Sequence, residues 1–148
     1  MAALSYNQLF NTFETIANNH AMIQRFGKGQ IYDIETFIGN NSLYPVMWVA
    51  PVSVTIDDQI LTYTLNLLIF DLLQKDKSNE NDVLSDTLRT MVDVCKELRF
   101  NYVDLEISGP FEATPFTEEF SDFVTGHRIE IEIITSIEDN MCGDSPQK

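Results

Sequence analysis

The oxygen-bearing side chains between residues 76 and 82 have the best spacing for chemistry in this sequence. A calcium loop places oxygen ligands at alternate positions, and four side chains follow that spacing: Asp76, Ser78, Glu80 and Asp82. A calcium loop also needs a turn glycine and a closing bidentate glutamate, but Asn81 and Thr87 occupy those two positions. The segment fits a solvated loop and helix start better than a metal site, and we expect no metal and no cofactor.

The two histidines are candidates for general bases or metal ligands, but neither has a partner at a recognised spacing. No other His, Cys or carboxylate completes a known motif with His20 or His127. We expect His20 at the exposed edge of a helix and His127 on the outer side of a strand. The sequence also lacks the motifs of serine hydrolases, phosphate loops, dinucleotide sites and zinc proteases. We therefore expect a protein that is not an enzyme.

Charge is the strongest signal in the composition. The 148 residues include nine Lys and Arg against 23 Asp and Glu, a formal net charge of −14. A surface that grips nucleic acid needs clustered basic side chains to neutralise phosphates, so the charge argues against such a surface. Two explanations of the acidity stay open, namely solubility alone and a surface past which DNA moves without sticking.

Length and hydropathy indicate one domain, residues 1–148, with a substantial core. No stretch approaches the about 20 apolar residues of a membrane span, and the first residues do not form a signal peptide. We therefore expect no membrane association and folding in a cytoplasm. Cys95 and Cys142 do not suggest a disulfide framework. We expect Cys95 to be a small buried residue of a helix and Cys142 to be a free thiol.

Apolar periodicity predicts two main helices. Residues 5–25 have apolar side chains at spacings of three and four, with a capping box at Ser5 and Gln8 and a terminating Gly27. A second helix is predicted from about Asn81 to Arg99. Its apolar stripe comprises Val83, Leu84, Leu88, Met91, Val92, Cys95 and Leu98.

Alternating and β-branched segments predict the strands. Val46 to Ile56, with an irregularity at Pro51, and Ile60 to Phe70 should pair antiparallel across a short polar turn. The remaining predicted strands are Tyr102–Ile107 and His127–Ile137, with a weak short strand at Ile31–Ile38. The predicted fold is α+β, an antiparallel or mixed four-stranded sheet carrying two main helices, with residues 138–148 as an extended C-terminal tail.

Three segments are predicted to contact partners because they are exposed or rich in aromatic residues. The first is the polar loop with Lys75, Asp76, Lys77, Glu80 and Asp82. The second contains Phe111, Phe116, Phe120 and Phe123, which either fold under the sheet or anchor a neighbouring subunit. The third is the C-terminal tail. Tyr44 and Trp48 could form a ligand-stacking platform, but we expect them in the core.

Several stretches resemble virion proteins of tailed bacteriophages. They are YPVMWVAPVSV, LLIFDLL, KSNENDVLSDTLRTMVDVCKEL and TPFTEEFSDFVTGHRIEIEI, within a resemblance that spans about residues 5–142. The group that the chain resembles is the connector or ring proteins of crAss-like phages, which are similar to tail-terminator or tail-completion proteins. The most characteristic pattern comprises Asp71, Asp76, Ser78, Asn79, Glu80, Asp82, Leu84, Ser85 and Asp86.

This resemblance implies a structural subunit with no catalytic residues. It implies a ring of about six or twelve copies. The ring would lie at the head–tail junction or in the tail, and it would terminate or join the tail. Its partners would be copies of itself and neighbouring portal, neck and tail proteins, and viral DNA would pass through the lumen without specific binding. The protein would be assembled in the host bacterial cytoplasm and end in the virion. The alternative is an acidic soluble binding module or DNA mimic, monomeric or dimeric, that engages a basic partner.

Overall fold

The computed structural model describes residues 5–38, 43–102, 105–107, 109–119 and 122–136. The first half of the chain forms α1 (Tyr6–Asn19), β1 (Arg25–Lys28), a 3-10 turn (Ile31–Asp33), α2 (Ile34–Ile38), β2 (Val46–Asp57) and β3 (Ile60–Leu72). The second half forms α3 (Glu80–Asn101), β4 (Glu106–Ile107), β5 (Thr114–Glu119) and β6 (Phe123–Ser136). No helix in these described ranges is both long and apolar enough to cross a membrane.

The strands form one mixed sheet in the order β1-β2-β3-β6, and β4 and β5 both pair with the far side of β6. Among the described strands, β1 and β2 are the one parallel pair, and the other pairs are antiparallel. The α+β class is confirmed, but the predicted count is wrong, because the described residues contain six strands and three helices. The two strands that were not predicted, β1 and β5, are short edge strands with little alternation of their own.

The core lies between the sheet and the two long helices, which share one face. The alternating row of β3 that faces the helices is buried: Leu61, Tyr63, Leu65, Leu67 and Ile69. Neighbouring side chains of β2 and β6 and the inner sides of α1 and α3 complete this cluster. At β2, the register shifts between Pro51 and Ser53, which confirms the predicted irregularity.

A smaller cluster lies on the opposite face of the sheet, where α2 covers one end. Trp48 is its largest member, buried against the Phe37 ring at 5.0 Å with its indole N–H donating to the Gly29 carbonyl at 3.1 Å. Trp48 is thus a core residue, as predicted. The predicted strand at Ile31–Ile38 is wrong, because Ile34 and Ile38, four residues apart, bury one side of a helical turn here.

The first helix begins where predicted but ends earlier. Ser5 and Gln8 form the predicted capping box, with reciprocal hydrogen bonds of 3.2 and 2.8 Å. The helix ends at Asn19 and not near residue 25, because the chain must turn there to enter β1 beside β2. Gly27 is therefore not a helix terminator: it lies within β1, where a Cβ atom would be 2.5 Å from the Trp48 ring. His20 caps α1, and its Nε2 lies 3.0 Å from Asp93 of α3.

The second long helix is confirmed, but its rotation differs from the predicted stripe. Val83, Met91 and Leu98 are buried as expected, and Val94 joins them. Leu88 and Val92, each 42% exposed, lie on an outer flank instead. The apolar stripe of this helix is wide enough to cover two neighbouring faces, and only one of these faces packs against the sheet. The predicted strand at Tyr102–Ile107 shrinks to Glu106–Ile107, because α3 extends to Asn101.

The last strand is longer at its start than predicted and runs from Phe123 to Ser136. The expected alternation is present, because Ile129, Ile131 and Ile133 are buried between exposed charged residues. The prediction for His127 is wrong. It shares the inward side of these isoleucines, is only 7% exposed, and its Nδ1 lies 3.0 Å from the Thr87 hydroxyl of α3.

We predict that Gly126→Ala destabilises the protein strongly. Residue 126 pairs with Phe70, and a Cβ atom would lie 2.0 Å from the Ile69 carbonyl oxygen, so the central strands would have to separate. We expect a loss of about 3 kcal/mol in the free energy of unfolding by urea. Gly109→Ala is the control. Its Cβ would meet open space, and its φ of +70° should cost about 1 kcal/mol. Equal losses in both variants would contradict the close approach of β3 and β6.

We predict that His127 makes stability fall in mild acid. Burial lowers the pKa of His127 from its ordinary value of 6.5, so the unfolded chain binds a proton at a higher pH than the folded chain does. The contribution of His127 to stability is therefore fully present above pH 6.5, and it is lost as the pH falls toward the pKa of His127 in the folded protein. His127→Gln should reduce the slope of the unfolding free energy against pH below pH 6.5, by up to about 1.4 kcal/mol per pH unit. An unchanged slope would contradict a neutral, buried imidazole.

Candidate interaction surfaces

The predicted polar loop is a self-contained turn. Asp76 accepts a hydrogen bond from the Ser78 backbone N–H at 3.0 Å, which lowers the pKa of Asp76, and Asn79 accepts one from the Gln74 backbone at 2.8 Å. Four of the predicted contact residues are exposed on this loop and helix start: Lys75, Asp76, Lys77 and Asp82. The fifth, Glu80, is partly buried beside Thr117 of β5. In the described ranges no group of three metal-binding side chains is assembled.

The predicted phenylalanine anchors do not form one patch. The Phe116 ring lies 6.1 Å from Phe70 on the face that α2 covers. Phe111 packs beside α3 on the other face, under the guanidinium of Arg99 at 4.7 Å. Phe123 is partly buried at the start of β6, and Phe120 lies outside the described residues, as does the tail 138–148. Phe111 and Phe116 thus pack against this chain's own sheet.

The tip of the β2–β3 hairpin is an exposed apolar surface that was not predicted. Residues 52–60 are here called the hairpin tip. Val54 packs against the main core, but every residue from Thr55 to Ile60 is exposed. Val52, Ile56 and Ile60 are 50%, 74% and 42% exposed. β1 covers only Val46–Val49, so the outer edge of β2 beyond Val49 has no strand partner among the described residues. Exposed apolar strand ends of this kind favour protein association.

A second apolar surface lies along α3. A groove of about 310 Å³, here called the α3 groove, separates this helix from the segment that contains Phe111 and Ala113. Leu88, Val92 and Phe100 border it and are 42%, 42% and 72% exposed.

Charge sets the α3 groove apart from the rest of the molecule. Lys96 and Arg99 line it, and none of the described lining residues is acidic, although the chain has 23 Asp and Glu. Arg99 also donates a hydrogen bond to the Gly109 carbonyl, which holds the segment before β5 against the helix. The groove is therefore apolar with a basic rim.

The two surfaces occupy different edges of the molecule. The free edge of β2 lies on one side of β3, and the groove lies on the other side at β6, whose Ile129 lines it. Two strand spacings from β2 to β6 correspond to about 10 Å. One protomer therefore presents two unlike apolar surfaces in two directions.

Neither surface could be located from the sequence pattern alone. Leu88 and Val92 fit the core stripe of α3 as well as the buried residues do. Ile56 and Ile60 lie in strands that are buried elsewhere along their length. The signal that could have indicated the tip was the hairpin length, because β2 and β3 have 12 and 13 residues, whereas β1 has four.

We predict that Cys95, in the wall of the α3 groove, reacts slowly with thiol reagents. Burial raises the pKa of Cys95 from 9.0 to about 11, although Arg99 opposes the shift. At pH 8 the thiolate fraction should be about a hundredfold below that of an unperturbed thiol. Iodoacetamide labelling of a Cys142→Ser variant isolates Cys95, and the same variant in urea supplies the reference rate. Equal rates in both states would show that the thiol is freely ionisable.

No protein-family model matches the chain, and no curated protein matches it significantly.

Proposed function

We propose that this protein is a structural subunit that joins copies of itself head to tail into a closed ring. The observation that carries the proposal is the pair of unlike apolar surfaces, the hairpin tip and the α3 groove, on different edges of one sheet. A contact between unlike surfaces leaves one of each free on every dimer, so further copies add until the rotation closes a ring. A contact between like surfaces would stop at a dimer.

The biological setting is proposed from the sequence resemblance. Ring-forming connectors of tailed bacteriophages act by shape, and the protein would sit at the head–tail junction or tail and terminate or join the tail. A rigid sheet with two packed helices is a suitable unit for this role, because the shape of a ring depends on every subunit keeping its own shape. The predicted contact residues of the polar loop would then face neck or tail proteins above or below the ring.

The acidic composition supports a lumen through which DNA moves. The face of the sheet without long helices carries exposed acidic side chains at Glu106, Glu130 and Glu132, accompanied by Arg128. Carboxylates repel phosphates at short range. At physiological salt this repulsion is largely screened beyond about 8–10 Å. A passage lined in this way would let DNA slide without specific binding.

We predict that the purified chain forms a single closed oligomer whose size is independent of concentration above its assembly threshold. Native mass spectrometry should give one mass, that of about six or about twelve copies, and negative-stain images should show rings. The ring should not retard linear double-stranded DNA in a gel at low salt.

The alternative, an acidic binding module or DNA mimic, predicts a different result. It would remain a monomer or a two-fold dimer at every concentration and would bind a basic protein in a salt-dependent manner. A solitary monomer at the highest soluble concentration would contradict the ring proposal for the isolated chain.

A further inference from the structure

Exposed apolar side chains concentrate on two parts of the described surface. Of the eleven large hydrophobic residues that are exposed there, three lie on the hairpin tip and three on the outer flank of α3. The other five are scattered over the 3-10 turn, the segments before β1 and β2, and the end of β3. Single exposed apolar residues are ordinary, but two groups on different edges of one molecule indicate surfaces that are covered by a partner.

We propose that the hairpin tip of one copy docks in the α3 groove of the next copy. This inference rests on the proposed self-assembly and names the contact that produces it. A second copy of this chain is the occupant, because the same polypeptide supplies both the groove and an exposed hairpin end of complementary character.

The shape of the tip suits a groove with two walls. Ile56 pairs with Leu61 and points to the helix-bearing side of the sheet, whereas Ile60 points to the opposite side. The tip therefore has an apolar side chain on each of its two faces. The groove has two walls, α3 and the Phe111–Ala113 segment, and each wall would contact one face of the tip. The stripe from Leu88 to Phe100 extends about 18 Å along the helix. The tip is the end of three paired strands, because Ile60 pairs with Ser136 of β6 as well as with Asp57.

The charges of the two surfaces are complementary. The turn of the hairpin carries Asp57 and Asp58, both exposed, and the groove is rimmed by Lys96 and Arg99. Such an arrangement steers association and fixes the orientation of the tip, and it disfavours a contact between two acidic tips. The tip is kept from its own groove because β3 and β6 lie between the β2 edge and α3's outer flank.

Two single substitutions and their mixture test the contact. Ile56→Asp places a charge on the tip, and Val92→Asp places one in the groove; both positions are exposed in the protomer, so the fold should be preserved. Each substitution should weaken the contact about a hundredfold, because a carboxylate would be moved from water into an apolar contact. Tyr32→Asp is the matched control, since Tyr32 is 79% exposed and lies in neither surface.

Mixing gives the decisive result, measured by native mass spectrometry. Each aspartate variant alone should be monomeric. An equimolar mixture should form a one-to-one heterodimer and nothing larger, because Ile56→Asp keeps an intact groove and Val92→Asp keeps an intact tip. Asp57→Lys and Lys96→Glu should each weaken assembly, and the double variant should recover it.

The outcomes separate this contact from the proposed function. If the wild type and Tyr32→Asp form rings and Ile56→Asp also does, the tip is not the occupant and the inference is overturned while the ring stands. If both aspartate variants are monomeric but their mixture gives no heterodimer, tip and groove do not meet and the inference again fails. A wild type that never assembles overturns the proposed function itself. Circular dichroism of each variant verifies that it is folded.

Discussion

The structure depends on the pairing of β3 with strands on both sides. β3 is paired along nearly its whole length with β2 on one side and with β6 on the other. Its inward row supplies five buried side chains to the main core, and both long helices are organised around that row. Gly126 permits the close approach of β6 at one end of this pairing. Few other features would survive separation of these three strands, because α1 and α3 have amphipathic sides that need this surface.

The same constraint creates the two exposed surfaces. β2 and β3 pair with each other beyond the limit of the helices, so the hairpin tip extends with no core to cover Ile56. α3 is oriented by the contact of Met91, Val94 and Leu98 with the sheet, so its second apolar flank faces outward. The exposed surfaces therefore follow from strand length and from helix orientation. Covering them would bury apolar area that the isolated protomer leaves in water.

Sequence patterns predicted the elements that carry their own periodicity. The β2–β3 hairpin, the irregularity at Pro51, the capping box of α1 and the alternation in β6 are all local signals, and all four are present. Elements whose structure depends on distant contacts were missed. The region Ile31–Ile38 is helical because Ile34 and Ile38 pack in one cluster with Trp48, on the face of the sheet opposite the long helices. β1 is a strand because it pairs with β2.

The candidate surfaces were harder to predict than the fold. Composition indicated the acidity, and aromatic content directed attention to Phe111 and Phe116, which pack against their own sheet. The apolar stripe of α3 does not specify which flank of the helix packs on the sheet. The alternation of a strand does not specify where along the strand the packed helices end. His127 was placed on the outer side for the same reason, since the sequence does not indicate that Thr87 of α3 would contact it.

A reconstruction of the assembled particle by electron cryomicroscopy tests the central claim most directly. The account predicts rotationally symmetric rings in which Ile56 of one copy lies beside Val92 of the next, with every copy making the same contact. A two-fold contact between like surfaces, or an assembly in which the flank of α3 faces solvent, would contradict it.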